Sequence, residues 1–123
     1  MTVSECYAYL AGDYEDALRR LRNDDNIKKF LGMLSRDQNF SLLESSLERQ
    51  DYDSAFRAVH TLKGITLNLS LSELSETAAA LTEALRERQS NPDIFPLLTK
   101  LKASYQKMCT AVGSLQNDLG KAD

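Results

Sequence analysis

Apolar residues recur at intervals of three and four almost throughout this chain, and nowhere do aromatic and β-branched residues alternate with period two. A chain patterned in this way buries its side chains by packing one stripe of each helix against its neighbours, so the expected class is all-α. The stretch Ala55, Ala58, Leu62, Ile65, Thr66 and Leu69 forms one such stripe. On the opposite face of the same helix fall His60, Lys63, Gly64 and Leu67, joined from the preceding turns by Phe56 and Arg57.

The other segments follow the same spacing. Residues 4 to 10 are expected to form a short helix ending near Gly12, with Asp13 capping a second helix that carries Tyr14, Ala17, Leu18 and Leu21. Asn23-Asp24-Asp25 breaks that helix and caps the next, whose apolar positions are Ile27, Phe30, Leu31 and Leu34. The polar patch Ser35 to Asn39 can be a loop, with Asp37 or Ser35 capping a new helix, or the solvated middle of one long helix. One helix is favoured, because Phe40, Leu43 and Leu47 resume roughly the same face and no Gly or Pro interrupts the patch.

The chain turns near Gln50-Asp51, and the helix bearing the only histidine is expected from near Asp53 to near Leu69. Ser70-Leu71-Ser72-Glu73 has the form of a capping box, followed by Leu71, Leu74, Ala78, Leu81 and Leu85 on one face. Asn91 and Pro92 suit the start of a last helix, although Pro96 can delay it by a few residues. That helix carries Leu97, Leu98, Leu101, Tyr105, Met108, Val112 and Leu115, and its tail from Gly120 to Asp123 is expected to fray. The simplest arrangement is an antiparallel up-and-down four-helix bundle with a short extra N-terminal helix. It is expected as one domain spanning 1–123, with its core at about residues 13 to 115.

Composition excludes several classes of function. The net charge is only −3 with no block of one sign, so the basic stripe that nucleic acid would require is missing. Cys6 and Cys109 stand far apart and read as free thiols in a reducing compartment, with Cys109 packed as a small apolar residue. One histidine and no cysteine cluster leave no ligand set for a structural zinc, and no metal site is expected. No apolar stretch is long enough for a bilayer and the N-terminus lacks a signal-peptide pattern, so no membrane partner and a cytoplasmic location are expected. Met1 and the short leading segment read as those of a free-standing protein. A glycine-rich phosphate loop is absent, so ATP binding and self-phosphorylation are not expected. The carboxylate pairs Glu44 with Glu48 and Glu83 with Glu87 read as solvated helix faces.

A lone helical histidine is most often incidental, but this one lies off the apolar stripe. Gly64 also requires a reason, because glycine inside a helix costs about 1 kcal/mol relative to alanine. A position without a side chain next to an exposed imidazole lets the backbone of another macromolecule approach it.

His60-Thr61-Leu62-Lys63-Gly64, followed by Asn68, resembles the signature of histidine-containing phosphotransfer (HPt) domains. Phe56-Arg57-Ala58 in front is similar to the version in the phosphotransfer domain of chemotaxis histidine kinases. The expected helix order from about residue 13 to 115 also resembles that family's four-helix bundle. The chain departs from it in having Ser70 where the family commonly has a second glycine, and Leu67 where small residues are usual. The small, cap-forming Ser70 is expected to be tolerated, and Leu67 to influence which partner docks.

The resemblance implies a relay in which a phosphoryl group passes between His60 and aspartates of response-regulator receiver domains. A hybrid histidine kinase is a further partner in such relays. Neutral imidazole is a nucleophile at physiological pH, the ordinary histidine pKa being about 6.5. In this role His60 is the phosphorylation site, Lys63 neutralises phosphoryl oxygens and Gly64 gives steric access. Phe56 and Leu67 are expected as exposed apolar docking contacts, with Arg57 drawn toward an acidic receiver pocket; Phe56 can equally lean into the bundle edge. No cofactor is expected on this chain, since Mg²⁺ belongs to the receiver in this family. The protein is therefore expected to be a monomeric phosphoryl carrier, not an autonomous enzyme. A helical adaptor indifferent to His60, or a degenerate domain that docks a receiver without transfer, are the alternatives.

Overall fold

The computed structural model describes residues 1–122, and the surroundings of side chains through Leu115. Seven helices and no strand occur among the described residues: α1 Val3–Tyr9, α2 Tyr14–Leu21, α3 Asp24–Ser35, α4 Asn39–Glu48, α5 Tyr52–Asn68, α6 Ser72–Ala84 and α7 Ile94–Ala122. None is long and apolar enough to cross a membrane.

Local side chains account for most of the boundaries. Thr2 and Glu5 form a reciprocal capping box at α1, Asp13 accepts from the Asp16 amide at α2, and Asn23 accepts from the Asn26 amide at α3. Asp51 starts the histidine helix α5, accepting from the Ser54 amide at 3.1 Å and the Ser54 hydroxyl at 2.8 Å. At the start of α7, Asn91 accepts from the Asp93 amide, and the helix begins at Ile94 rather than Pro92. Pro96 thereby falls in the first turn, where its missing N–H costs nothing.

Two expected features are corrected. The single helix from Ile27 to Leu47 is two helices, α3 and α4, broken at Arg36 to Gln38. The Ser35 hydroxyl donates back to the Gly32 carbonyl and Asp37 accepts from the Asn39 amide, so local side chains take over backbone partners that a continuous helix would need. Tyr105 of α7 fixes the corner: its hydroxyl donates to the Leu34 carbonyl at 2.9 Å and its ring stacks on Phe40 at 4.5 Å. The expected capping box at Ser70 is also absent, since Leu71 precedes α6 and no side chain caps it.

Ser70 instead ends α5. Its φ of 55° is left-handed, its amide donates to the Leu67 carbonyl, and the Leu71 amide donates to the Thr66 carbonyl. This is the Schellman closure, in which glycine is the usual left-handed residue. Ser70 is held there from outside α5: its hydroxyl donates to Asp16 and its carbonyl accepts from the Asp13 amide at 2.9 Å.

Helix α5 packs against α4 on one side and α6 on the other, α6 packs on α7, and α7 on α3. The core takes Leu31, Leu34, Leu43, Leu62, Leu81, Leu85, Leu101 and Met108, all within 2 % of full burial. Ile94, absent from the expected stripe, is buried as well, whereas Leu97 and Leu98 are only partly so. Buried side chains begin at Val3, Cys6 and Tyr7, ahead of the expected start at Asp13. Both cysteines are free thiols: Cys6 is fully buried, which pushes its thiol up to about 11, and Cys109 packs, partly buried, against the core as expected. The helix expected to fray from Gly120 continues through Ala122, and Asp123 lies outside the described residues.

Candidate functional site on the exposed face of helix α5

Helix α5 divides its residues as its spacing predicts. Ala55, Ala58, Val59, Leu62 and Thr66 are buried and Ile65 is partly buried, while Arg57, His60, Thr61, Gly64 and Leu67 are exposed. His60 therefore projects from the middle of a 17-residue helix whose other face is fixed in the core. Its imidazole makes no hydrogen bond to the protein among the described residues, which leaves both ring nitrogens open to a reactant.

Lys63, one turn along, is partly exposed, and its ammonium has no ion-pair partner among the described residues. Its field reaches α6: the Glu83 carboxyl lies below the usual carboxylate range, first because Arg86 donates to it and to a lesser degree because the Arg86 and Lys63 charges are near. A free cation one turn from a free imidazole can neutralise an anion that bonds to the ring. At Gly64 an added Cβ would meet nothing within 4 Å, so the gap belongs to the outer surface and serves no packing purpose inside the protein.

The three flanking residues differ from one another. Leu67 is half exposed, and Arg57 points outward and pairs with Asp53 one turn back. Phe56, expected either as an exposed contact or leaning into the bundle edge, is only 9 % exposed and takes the second place. It lies at the edge of the core and stacks on the imidazole, ring centroids 5.8 Å apart and planes 6° from parallel. Burial against the bundle explains the difference, because position 56 borders both faces of the helix.

Beside the C-terminal half of this face is a surface groove of about 430 Å³, lined by Leu21, Phe30, Met33, Ile65, Asn68 and Leu69 among others. Asn68 lies two turns beyond His60 and about 80° around the helix, so the groove adjoins the histidine face. Phe30, assigned to the core stripe, is 38 % exposed and Met33 is 51 % exposed. Their signal was present in the sequence, since Phe30 and Met33 make the apolar face of α3 wider than Ile27, Leu31 and Leu34 require. Arg88 was also missed. It reaches the Phe56 ring from the segment after α6, at a position no periodicity marks.

A model of the Hpt domain family matches residues 27–112, a span running from α3 through most of α7 and including His60, Lys63 and Gly64. Comparison with curated proteins and with solved structures gives no match.

Proposed function

The chain belongs to the Hpt domain family, and from that membership we propose that it is a histidine phosphotransfer protein with His60 as its phosphoryl acceptor and donor. Hpt domains are phosphocarriers of two-component signalling and act on receiver domains and kinases. The observation that carries the assignment is the exposed His60 ring, which among the described residues has no protein hydrogen bond and lies one turn from a Lys63 without an ion-pair partner, beside the open surface at Gly64.

In the proposed reaction a neutral ring nitrogen of His60 attacks the phosphorus of a receiver's aspartyl phosphate. An N–P bond forms as the P–O bond to the aspartate breaks, and the reverse reaction loads a second receiver. Lys63 offsets the negative charge brought by the phosphoryl oxygens, while the receiver's carboxylates and Mg²⁺ do the rest, as suits a reaction governed by positioning and charge. Gly64 leaves room for the receiver's loop. Leu67 and Arg57 contact the receiver, and the neighbouring groove with Phe30 and Met33 extends the apolar docking area. Phe56 serves from beneath, as a support for the imidazole.

We read the bundle as four walls in up-and-down order, α3 with α4, then α5, α6 and α7, with α1 and α2 as the leading extension. The protein acts as a cytoplasmic monomer in this reading. Incubation with a panel of phosphorylated receiver domains tests it. Acid-labile, base-stable phosphate on the wild type is expected, with none on His60→Gln and an unchanged helical circular-dichroism spectrum. Retained label on His60→Gln would sink the assignment. Binding without transfer across the panel would favour a degenerate docking domain, and neither binding nor transfer a helical adaptor.

A further inference from the structure

We propose that Arg88 is a positioning residue for the phosphoryl chemistry, acting through Phe56 to hold the plane of the His60 imidazole. The inference rests on the reading of His60 as the phosphoryl acceptor. The guanidinium carbon of Arg88 lies 4.0 Å from the centre of the Phe56 ring, and Phe56 lies parallel to His60 at 5.8 Å. Arginine, phenyl and imidazole thus form a chain of contacts ending on the nucleophile, with spacings in the range of cation–π and offset aromatic stacking.

Arg88 is itself fixed from several directions. Its Nε is 3.4 Å from the Asp53 carboxylate, its Nη1 donates to the Arg86 carbonyl at 2.9 Å, and its amide donates to the Leu85 carbonyl at 2.9 Å. Its backbone has a left-handed φ of 51°, in the segment between α6 and α7. That conformation is uncommon for a long side chain and brings the guanidinium back over α5. Asp53 sits two turns before His60 and also pairs with Arg57, so one carboxylate in the first turn of the helix orients both arginines.

The arrangement supplies what His60 lacks. Among the described residues the imidazole has no hydrogen bond to the protein and the parallel phenyl is its one ring contact, so packing orients it. In-line attack on phosphorus depends on the direction in which the ring nitrogen points, so restricting the ring raises the fraction of productive encounters. Lys63 acts on the phosphoryl charge, whereas Arg88 acts on the nucleophile's geometry.

The test uses the full chain with Arg88→Asn, which removes the guanidinium but suits a left-handed backbone, together with Arg88→Lys and Phe56→Leu. The His60 ring proton resonances are recorded by NMR in the unphosphorylated proteins. Labelling is then followed with phosphoramidate, a small donor that phosphorylates imidazole and releases ammonia, well below each protein's melting temperature. The expected result is that Arg88→Asn and Phe56→Leu both move the His60 resonances toward those of free imidazole. Both should slow labelling about two- to fivefold, the scale of one cation–π contact, with Arg88→Lys recovering part of the loss. Unchanged resonances in Arg88→Asn overturn the proposal, as do shifted resonances with a wild-type labelling rate. If the wild type takes no label from either phosphoramidate or a phosphorylated receiver, the phosphotransfer reading fails instead, and the NMR comparison alone decides whether Arg88 holds the ring.

Discussion

At Gly64 the proposed function and helix stability make opposite demands. An added methyl would meet no protein atom, and alanine favours a helix interior over glycine by about 1 kcal/mol. Gly64→Ala is therefore expected to raise the unfolding free energy by about 0.5–1 kcal/mol in a denaturant titration, while slowing transfer from a phosphorylated receiver. If transfer is unaffected, the gap has no part in docking. Lys63 presents the complementary case. Its ammonium has no ion-pair partner among the described residues, so Lys63→Ala should leave the melting temperature nearly unchanged and slow phosphoryl transfer about tenfold, in keeping with the loss of one charge-assisted contact. A rate equal to wild type would mean that the charge is dispensable.

The C-terminus of α5 is secured by a residue that helix chemistry alone would not choose. Ser70 takes the left-handed closing position, and the Asp16 carboxylate of α2 accepts its hydroxyl proton. Ser70→Gly removes about 1 kcal/mol of backbone strain as it removes the hydroxyl, so its melting temperature should stay near wild type; Ser70→Ala keeps the strain, loses the bond and should melt lower. The same contact makes a prediction about pH. Asp16 lies below the usual carboxylate range, first because of the Ser70 hydroxyl and then because of Arg20. A carboxyl depressed by folding contributes stability above its unfolded pKa of about 3.9, and that contribution is lost as the pH falls further through the folded value. Thermal melts below pH 4 should thus decline less steeply for Asp16→Asn than for wild type. Parallel declines would show that the Ser70 bond does not stabilise the ionised form.

For the molecule as a whole, the leading helices belong to the packed structure. The Tyr7 hydroxyl donates to the Leu69 carbonyl at 2.7 Å, which ties α1 to the end of the histidine helix 62 residues away. Gly12 allows this approach: a Cβ there would sit 2.8 Å from a Tyr7 ring carbon and 3.1 Å from the Ser70 carbonyl oxygen. The backbone oxygen cannot yield cheaply, so Gly12→Ala is expected to destabilise the fold by about 1–3 kcal/mol. Removal of α1 should lower the melting temperature as well, and an unchanged value for either variant would mean that the N-terminal segment folds apart from the rest. His60 lies on the outer face of the same helix, so its reactivity depends on a scaffold assembled from both ends of the chain.

The sequence alone determined the helical class, the caps at Asp13 and Asn23, and the outward direction of His60, Gly64 and Leu67. Each of these follows from residues within one or two turns of each other, where spacing and side-chain type are sufficient. Its motif also led to the family that the match over residues 27–112 supports. Tertiary structure decided what depended on distant partners. It fixed the corner between α3 and α4, where the Tyr105 hydroxyl donates to the Leu34 carbonyl, and it turned Ser70 from an expected helix start into a helix end held by Asp16. It also buried Phe56 between the bundle and Arg88, and left Phe30 at the edge of an open groove. Contacts as distant as the 71 residues between Leu34 and Tyr105 carry no periodic signature, because they arise only when separately formed helices choose which faces to share.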